Sequence, residues 1–150
     1  MKVVDTREYV SVLRELVEEG REVNMVVWGS SMTPFLGHGR DTIFFAAPER
    51  ELRRGDMVFY QRDTGQFVIH RIWKVKKYGY YIVGDAQTII EGPIRRDQIF
   101  ARITKVNRKG KMISNGDFWW EFFEKVWIRM VPLRPVIMKF YSVVSGRRNS

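Results

Sequence analysis

The first twenty residues repeat apolar positions with the period of an α-helix. The apolar side chains that share one face of this helix are Tyr9, Val10, Leu13, Leu16 and Val17. Asp5 and Glu8 have the spacing of a capping box, and Gly20 is a residue type that commonly ends helices. This pattern predicts one amphipathic N-terminal helix within residues 1–22.

From Val23 onward the apolar residues come in short runs or alternate with polar ones, which is typical of β-strands. The pattern predicts strands at residues 23–28, 41–47, 56–61, 66–75, 80–83, 98–106 and 111–114. Turn signals rich in glycine and aspartate separate them. Short strands at this spacing predict a curled antiparallel sheet or small β-barrel, and therefore a mainly β fold with its core at residues 23–114.

The last part of the chain, residues 115–150, is aromatic and basic, with a helical pattern that Pro132 and Pro135 interrupt. One face of the predicted helix carries Trp119, Phe122, Phe123, Val126 and Met130, and it is widened by Trp120, Trp127 and Val131. Aromatic bulk beside basic charge is typical of a helix on an anionic membrane, which would here involve residues 118–148. The alternative is that these rings pack on the sheet or on a second copy. Residues 1–150 are taken as a single domain.

The composition narrows the chemistry available to this domain. The chain has no cysteine and two histidines, which excludes disulfides, thiolate nucleophiles and the usual zinc sites, so we expect neither a metal nor a cofactor. Its net charge of +9 indicates an acidic partner or simply a basic surface. Neither a secretory signal nor a run of about 18 apolar residues occurs, which predicts a cytoplasmic protein, peripheral to the membrane at most, with no transmembrane helix.

Ser31 lies in a turn directly after the first predicted strand, where a serine side chain stands clear of the backbone. A serine hydroxyl attacks a carbonyl only when a base removes its proton, and backbone N–H groups in such a turn can stabilise the oxyanion. Gly29 would let the backbone of a substrate approach closely, and Pro34 would stiffen the exit from the turn. The alternative is that Ser30 and Ser31 are ordinary turn residues.

His70 lies in the fourth predicted strand, where alternation places it on one face with Val68 and Ile72. An imidazole among apolar neighbours stays neutral near pH 7, as a general base must. The alternative is a half-buried histidine that hydrogen-bonds to a carbonyl. His38, between two glycines, is interpreted as a surface residue.

Four short motifs occur in the order found in type I signal peptidases. They are Ser-Met-Thr-Pro at 31–34, Arg-Gly-Asp-Met-Val at 54–58, Val-Ile-His-Arg-Ile at 68–72 and Val-Gly-Asp at 83–85. The chain therefore resembles serine peptidases of the signal peptidase I and LexA superfamily. Because His70 replaces the lysine of bacterial members, it is similar to the Ser-His type. The resemblance implies their small curled antiparallel β-barrel, in a stand-alone form without a membrane anchor.

Carried over motif by motif, the resemblance implies that Ser31 is the nucleophile, His70 its general base and Asp85 the acid that orients His70. A second family acid corresponds to Glu91, in a stretch that departs from the family pattern. The family serine two positions before the nucleophile is a glycine here, so the N–H of Ser31, helped by Ser30, would hold the oxyanion. A histidine base predicts activity that rises with pH through a pKa within a unit or two of about 6.5.

The implied activity is that of a serine endopeptidase that removes a leader or signal segment from a precursor peptide, with no nucleic acid as partner. Two alternatives stay open. A LexA-type self-cleaving, DNA-binding regulator fits the positive charge. However, the roughly thirty residues before Ser31 are too few for a helix-turn-helix domain, and they contain no Ala-Gly or Cys-Gly dipeptide. A non-catalytic module of the same fold would instead hold an extended peptide by strand addition.

Overall fold

A computed structural model describes residues 6–137 and 139–140 of the 150-residue chain. Helix α1 (Thr6–Glu18) forms where the sequence predicts it, and the predicted cap at Asp5 lies outside the described residues. The helix ends in a Schellman arrangement around Gly20, whose N–H donates to Val17 O (2.9 Å), and the next N–H donates to Leu16 O (3.2 Å). Its buried side chains, spaced three and four positions apart, are Val10, Leu13 and Val17.

In the described part of the chain, eight strands form one antiparallel sheet. They are β1 (Val23–Val26), β2 (Thr42–Ala46), β3 (Met57–Gln61), β4 (Phe67–Lys76), β5 (Gly79–Val83), β6 (Glu91–Ile94), β7 (Ile99–Arg108) and β8 (Lys111–Ser114). The strand order is β1-β2-β7-β3-β4-β5-β6, and β8 pairs with the end of β7 that β3 does not cover. Every predicted strand is therefore present. The predicted barrel is not closed, because no pairing among the described residues joins β1 to β6.

The sequence pattern does not predict β6, because this strand contains Gly92 and Pro93, two residue types that are rare inside strands. The strand tolerates them because it lies at the edge of the sheet and pairs, within the described chain, with β5 alone. In this pairing Glu91 lies opposite Ile82. The missed strand therefore sets the position of one of the predicted acidic residues.

The two faces of the sheet bury separate clusters of side chains. On one face, α1, the loop after β1 and the C-terminal segment pack over β1, β2 and β7, in a cluster that includes Phe35 and Phe59. The smaller cluster on the other face consists of Leu52, Val58, Tyr60, Ile72, Ile82, Ile94 and Ile99. Alternation along β4 places Ile69 against the larger cluster and His70 beside Tyr60 of the smaller one, with ring centroids 6.2 Å apart. The predicted face of His70 is confirmed.

The C-terminal segment packs on the sheet. It begins as helix α2 (Phe118–Glu121), continues as a π-helical turn (Phe122–Val126) and ends as a 3₁₀ stretch (Trp127–Leu133). Its buried apolar side chains are Trp120, Phe123, Trp127, Ile128 and Val131. The predicted helix face is wrong by about one position, since Trp119 is 47% exposed and Val126 is 45% exposed. The π-helical turn changes the phase of the repeat, which a regular α-helical pattern does not anticipate.

The last described residues continue in helical backbone, at 134–137 and 139–140. The apolar piece predicted at 136–144 is therefore described only in part, and the basic end of the chain lies outside the described residues. Among the described helices, none is both long enough and apolar enough to cross a membrane.

Candidate active site

The turn that carries Ser31 is held by hydrogen bonds from its own loop. After β1 ends at Val26, Gly29 takes a φ of +84°, a conformation that residues with a side chain rarely adopt. A Cβ at Gly29 would meet nothing within 4 Å, so this side of the turn is open. Its N–H donates to Nδ1 of His38 at 2.7 Å. His38 is exposed, as interpreted from the sequence, but it also supports the serine turn.

Ser31 is fixed from the other side by the segment that follows β5. The N–H of Ala86 donates to Ser31 O at 2.9 Å, and the N–H of Asp85 lies 3.4 Å from Sδ of Met32. A Cβ on Gly84 would come within 2.5 Å of Ser31 O, so a glycine is required for this close approach. The Val-Gly-Asp motif thus positions the serine turn through its backbone.

Ser31 and His70 line the same cleft, whose volume is about 280 Å³. The pairing of β5 with β4 ends at Val83, which lies opposite Arg71. In the described chain, residues 67–70 of β4 therefore have no strand beside them on the β5 side, and the cleft opens there. Within the described residues the Ser31 hydroxyl makes no hydrogen bond to the His70 ring. The apolar lining comes from Val10, Met25, Val27, Met32, Leu36, Phe59, Phe67, Val68 and Ile69.

Asp85 binds an arginine and makes no hydrogen bond to His70 in the described structure. Its two carboxylate oxygens accept hydrogen bonds from Nε and Nη2 of Arg71, at 2.9 and 3.0 Å, and both side chains are almost completely buried. The remaining Arg71 nitrogen, Nη1, donates to Gly55 O at 2.8 Å. The structure therefore corrects the prediction that Asp85 orients His70. A buried guanidinium requires a paired anion, and Asp85 supplies it.

Glu91 is the carboxylate that faces His70. Its Oε1 accepts a hydrogen bond from the Tyr60 hydroxyl, with the two oxygens 3.0 Å apart, and the Tyr60 oxygen lies 3.4 Å from His70 Nδ1. Arg62 donates to both oxygens of Glu91, with its shortest contact at 2.6 Å from Nη2 to Oε1. Of the two predicted acids, Glu91 is thus the one linked to His70. The link is a tyrosine that no sequence motif singled out.

Burial governs the protonation of His70. It lowers the pKa of the imidazole from 6.5 to about 4, while the charge of Glu91 raises that pKa and the charge of Arg62 lowers it by smaller amounts. Burial also acts to raise the pKa of Glu91, but hydrogen bonds from Arg62 and Tyr60 outweigh it, so the net pKa is lowered. At neutral pH His70 is therefore a neutral base beside an ionised carboxylate. Burial thus moves the pKa of His70 well below 6.5, in the direction that keeps the imidazole neutral.

The two predicted oxyanion donors differ in availability. The N–H of Ser31 makes no hydrogen bond within the described chain, so it is free to face a substrate oxyanion. Ser30 is exposed and does not line the cleft, and its carbonyl accepts the N–H and the hydroxyl of Thr33 at 3.1 and 2.8 Å. The geometry therefore favours the Ser31 backbone over the Ser30 side chain.

Two C-terminal residues that the sequence motifs did not mark hold the segment behind Ser31. Trp127 Nε1 donates to Asp85 O at 2.7 Å, and Arg134 Nη1 donates to Gly84 O and to Gln87 O, both at 2.9 Å. Both side chains are buried. A tryptophan and an arginine in an aromatic, basic helix are too general a signal to identify this role from the sequence.

Comparison of the chain with protein-family models, with curated protein sequences and with solved structures gives no significant match. The family resemblance therefore rests on the four sequence motifs. In the structure these motifs converge: Ser31 and His70 line the cleft, the Val-Gly-Asp segment lies behind the serine, and Gly55 of the Arg-Gly-Asp motif binds Arg71.

Proposed function

We propose that this chain is a serine endopeptidase of the signal peptidase I and LexA type, which removes a leader or signal segment from a precursor peptide. The observation that carries the proposal is the meeting of Ser31 and His70, from a loop and a strand distant in sequence, in one cleft. The order of the four motifs and the neutral state of the His70 imidazole at neutral pH support the same chemistry.

In the proposed mechanism, His70 Nε2 takes the proton of the Ser31 hydroxyl as its oxygen attacks the scissile carbonyl carbon. The carbonyl oxygen becomes an oxyanion, which the N–H of Ser31 stabilises. Collapse of this intermediate expels the amine, which receives the proton from His70 and leaves an acyl ester on Ser31. Water then attacks the ester with His70 as the base, which releases the acid and restores the serine.

The cleft favours an extended segment of substrate with apolar side chains. The edge of β4 at 67–70 offers backbone groups for strand addition, and apolar side chains line the wall beside Ser31. Trp28, which is 68% exposed, also lines this cleft and gives it an aromatic rim. We therefore propose a precursor whose residues next to the scissile bond are small or apolar.

Ser31→Ala is expected to abolish both cleavage of a precursor peptide and labelling by a fluorophosphonate probe, while the fold is kept. His70→Ala is expected to do nearly the same to cleavage, since loss of a nucleophile or base costs several orders of magnitude in rate. Ser30→Ala is the matched control, because it removes the adjacent hydroxyl and should keep most of the activity. Cleavage at the wild-type rate by Ser31→Ala would refute the proposal. A wild-type protein that binds peptide without cleavage or labelling would be the non-catalytic module.

We further propose an anionic membrane surface as a partner of the C-terminal segment. Phe118 and Trp119 remain exposed, and the Arg108 guanidinium lies 5.6 Å from the Trp119 ring. Exposed aromatic rings beside a cation suit the headgroup region of a bilayer. Vesicle sedimentation at low salt tests this: anionic vesicles should pellet the protein, and substitution of Phe118 and Trp119 by serine should reduce pelleting. No lipid-dependent pelleting would leave packing on the sheet as the role of this segment.

A further inference from the structure

A tyrosine outside all four sequence motifs lies between the base and the acid of the proposed site. We infer that Tyr60 is a positioning residue: its hydroxyl donates a hydrogen bond to Glu91, fixes His70 in the tautomer protonated at Nδ1, and couples the imidazole to the carboxylate. The tautomer follows from the geometry of this cluster, whereas its catalytic meaning rests on the proposed function.

The tautomer follows from a count of protons. Arg62 binds both oxygens of Glu91, and the ionised carboxylate can only accept hydrogen bonds. The single proton of the Tyr60 hydroxyl is therefore directed to Glu91 Oε1, 3.0 Å away. Toward His70 Nδ1, at 3.4 Å, the same oxygen presents only lone pairs. Nδ1 must supply the proton of that contact, so Nε2 of the neutral ring is unprotonated.

Among the charged groups of the described residues, none competes with Tyr60 as an acceptor for that proton. Tyr60 is completely buried, and it lies on β3 next to the strand that carries His70. The charged groups that face the ring in the described chain are Glu91 of β6 and Arg62, which directly follows β3. A guanidinium has only donors, so Arg62 cannot accept a proton from Nδ1. In the described chain, the hydrogen-bonded link from this carboxylate to the ring runs through Tyr60.

This coupling has two consequences for the proposed reaction. The unprotonated Nε2 is the atom that can accept the proton of Ser31. When Nε2 accepts this proton, the ring becomes a cation. The hydrogen bonds from Nδ1–H to the Tyr60 hydroxyl and from that hydroxyl to Glu91 then stabilise the cation with the negative charge of Glu91. Tyr60 thus completes a link that a carboxylate makes directly in the Ser-His-Asp triad.

Nitrogen NMR of protein labelled with ¹⁵N-histidine tests the tautomer directly, since the chain has only two histidines. Above pH 7 we expect His70 to show a pyrrole-like Nδ1 and a pyridine-like Nε2, and we expect a mixed or reversed pattern in Tyr60→Phe. Tyr80→Phe is the matched control, because Tyr80 is a half-buried tyrosine packed against the same cluster. A wild-type ring protonated at Nε2, which needs no variant to detect, would overturn the inference. So would an unchanged pattern in Tyr60→Phe.

Tyr60→Phe is also expected to lower kcat about tenfold at unchanged KM, the rate equivalent of one hydrogen bond that acts on a charge. Tyr80→Phe should leave both constants as they are, and an unchanged kcat in Tyr60→Phe would overturn the positioning role. Cleavage that persists in Ser31→Ala, together with His70 protonated at Nδ1, would refute the proposed function and leave the tautomer inference standing. The two proposals therefore fail separately.

Discussion

Asp85 and Glu91 are close in sequence and each is paired with an arginine, but they lie in very different surroundings. The side chain of Asp85 is 0% exposed and that of its partner Arg71 is 2% exposed. The side chain of Glu91 is 31% exposed and that of its partner Arg62 is 32% exposed. The first pair lies in the interior behind the serine turn, whereas the second is partly exposed and faces His70.

The two carboxylates differ in the partners that their oxygens bind. Asp85 uses both oxygens on Arg71, and its backbone binds Met32 and Trp127, so it is part of the framework. Glu91 binds Tyr60 as well as Arg62, so its charge acts on His70. Breaking a buried ion pair leaves an unpaired charge in the interior, while an exposed pair contributes little to stability. The difference in burial therefore gives Asp85 a structural role, whereas the charge of Glu91 acts on His70.

Asp85→Asn is expected to have the largest effect, a loss of about 3–5 kcal/mol in the free energy of unfolding, because Arg71 is left as an unpaired buried charge. Chemical denaturation followed by tryptophan fluorescence measures it. Glu91→Gln is the matched control and should change the stability by less than about 1 kcal/mol, since its ion pair is about a third exposed. Equal destabilisation by the two variants would remove the distinction.

Acid is expected to destabilise the protein through His70, the buried imidazole that Glu91 faces. The pKa of His70 is about 4 in the folded chain and 6.5 in its ordinary state, so between these values the unfolded chain binds more protons. The contribution is fully present above about pH 6.5 and falls by about 3 kcal/mol as the pH drops to about 4. Denaturation of wild type and His70→Asn across this range measures it. A pH dependence that the substitution leaves unchanged would contradict the role given to His70.

Glu91→Gln is expected to lower kcat roughly fivefold to tenfold, because the imidazolium that forms in the proposed mechanism loses a nearby negative charge. The negative charge of Glu91 raises the pKa of His70, so its removal should also move the acid limb of kcat/KM below the wild-type position near pH 4. A pH–rate profile measures both effects. Asp97→Asn, at an exposed acid that pairs with Arg95, is the control and should leave the profile unchanged. An acid limb that moves upward in Glu91→Gln would show that Glu91 does not act on His70.

Trp127→Phe is expected to give the smallest effect, about 1 kcal/mol of stability, because it removes one hydrogen bond to the backbone of Asp85 and keeps most of the buried ring. Thermal unfolding measures the change. Trp119→Phe serves as the control, since Trp119 is 47% exposed and its loss should cost less. An equal shift in melting temperature for both variants would show that the Trp127 bond adds nothing to the framework around Asp85.

Local patterns were sufficient for most of the elements. Helix α1 and the predicted strands follow from the spacing of apolar residues and from turn residues, which are properties of neighbours in the chain. The sequence motifs also pointed to Ser31, His70 and the Gly84-Asp85 segment, and all of these lie at or directly behind the cleft. Strand β6 was missed because an edge position, which no local pattern reports, permits Gly92 and Pro93.

Only the tertiary structure decided which partner each polar group takes. His70 and Arg71 are adjacent on β4, so pleating sends them to opposite faces, where Asp85 meets Arg71 and the Tyr60–Glu91 pair meets His70. Tyr60 and Glu91 are 31 positions apart, on strands that β4 and β5 separate in the sheet order, so their contact depends on how the whole sheet is folded. Sequence periodicity specifies the face to which a side chain points. Contact with a distant residue depends on the order and register of the strands, which the periodicity does not contain.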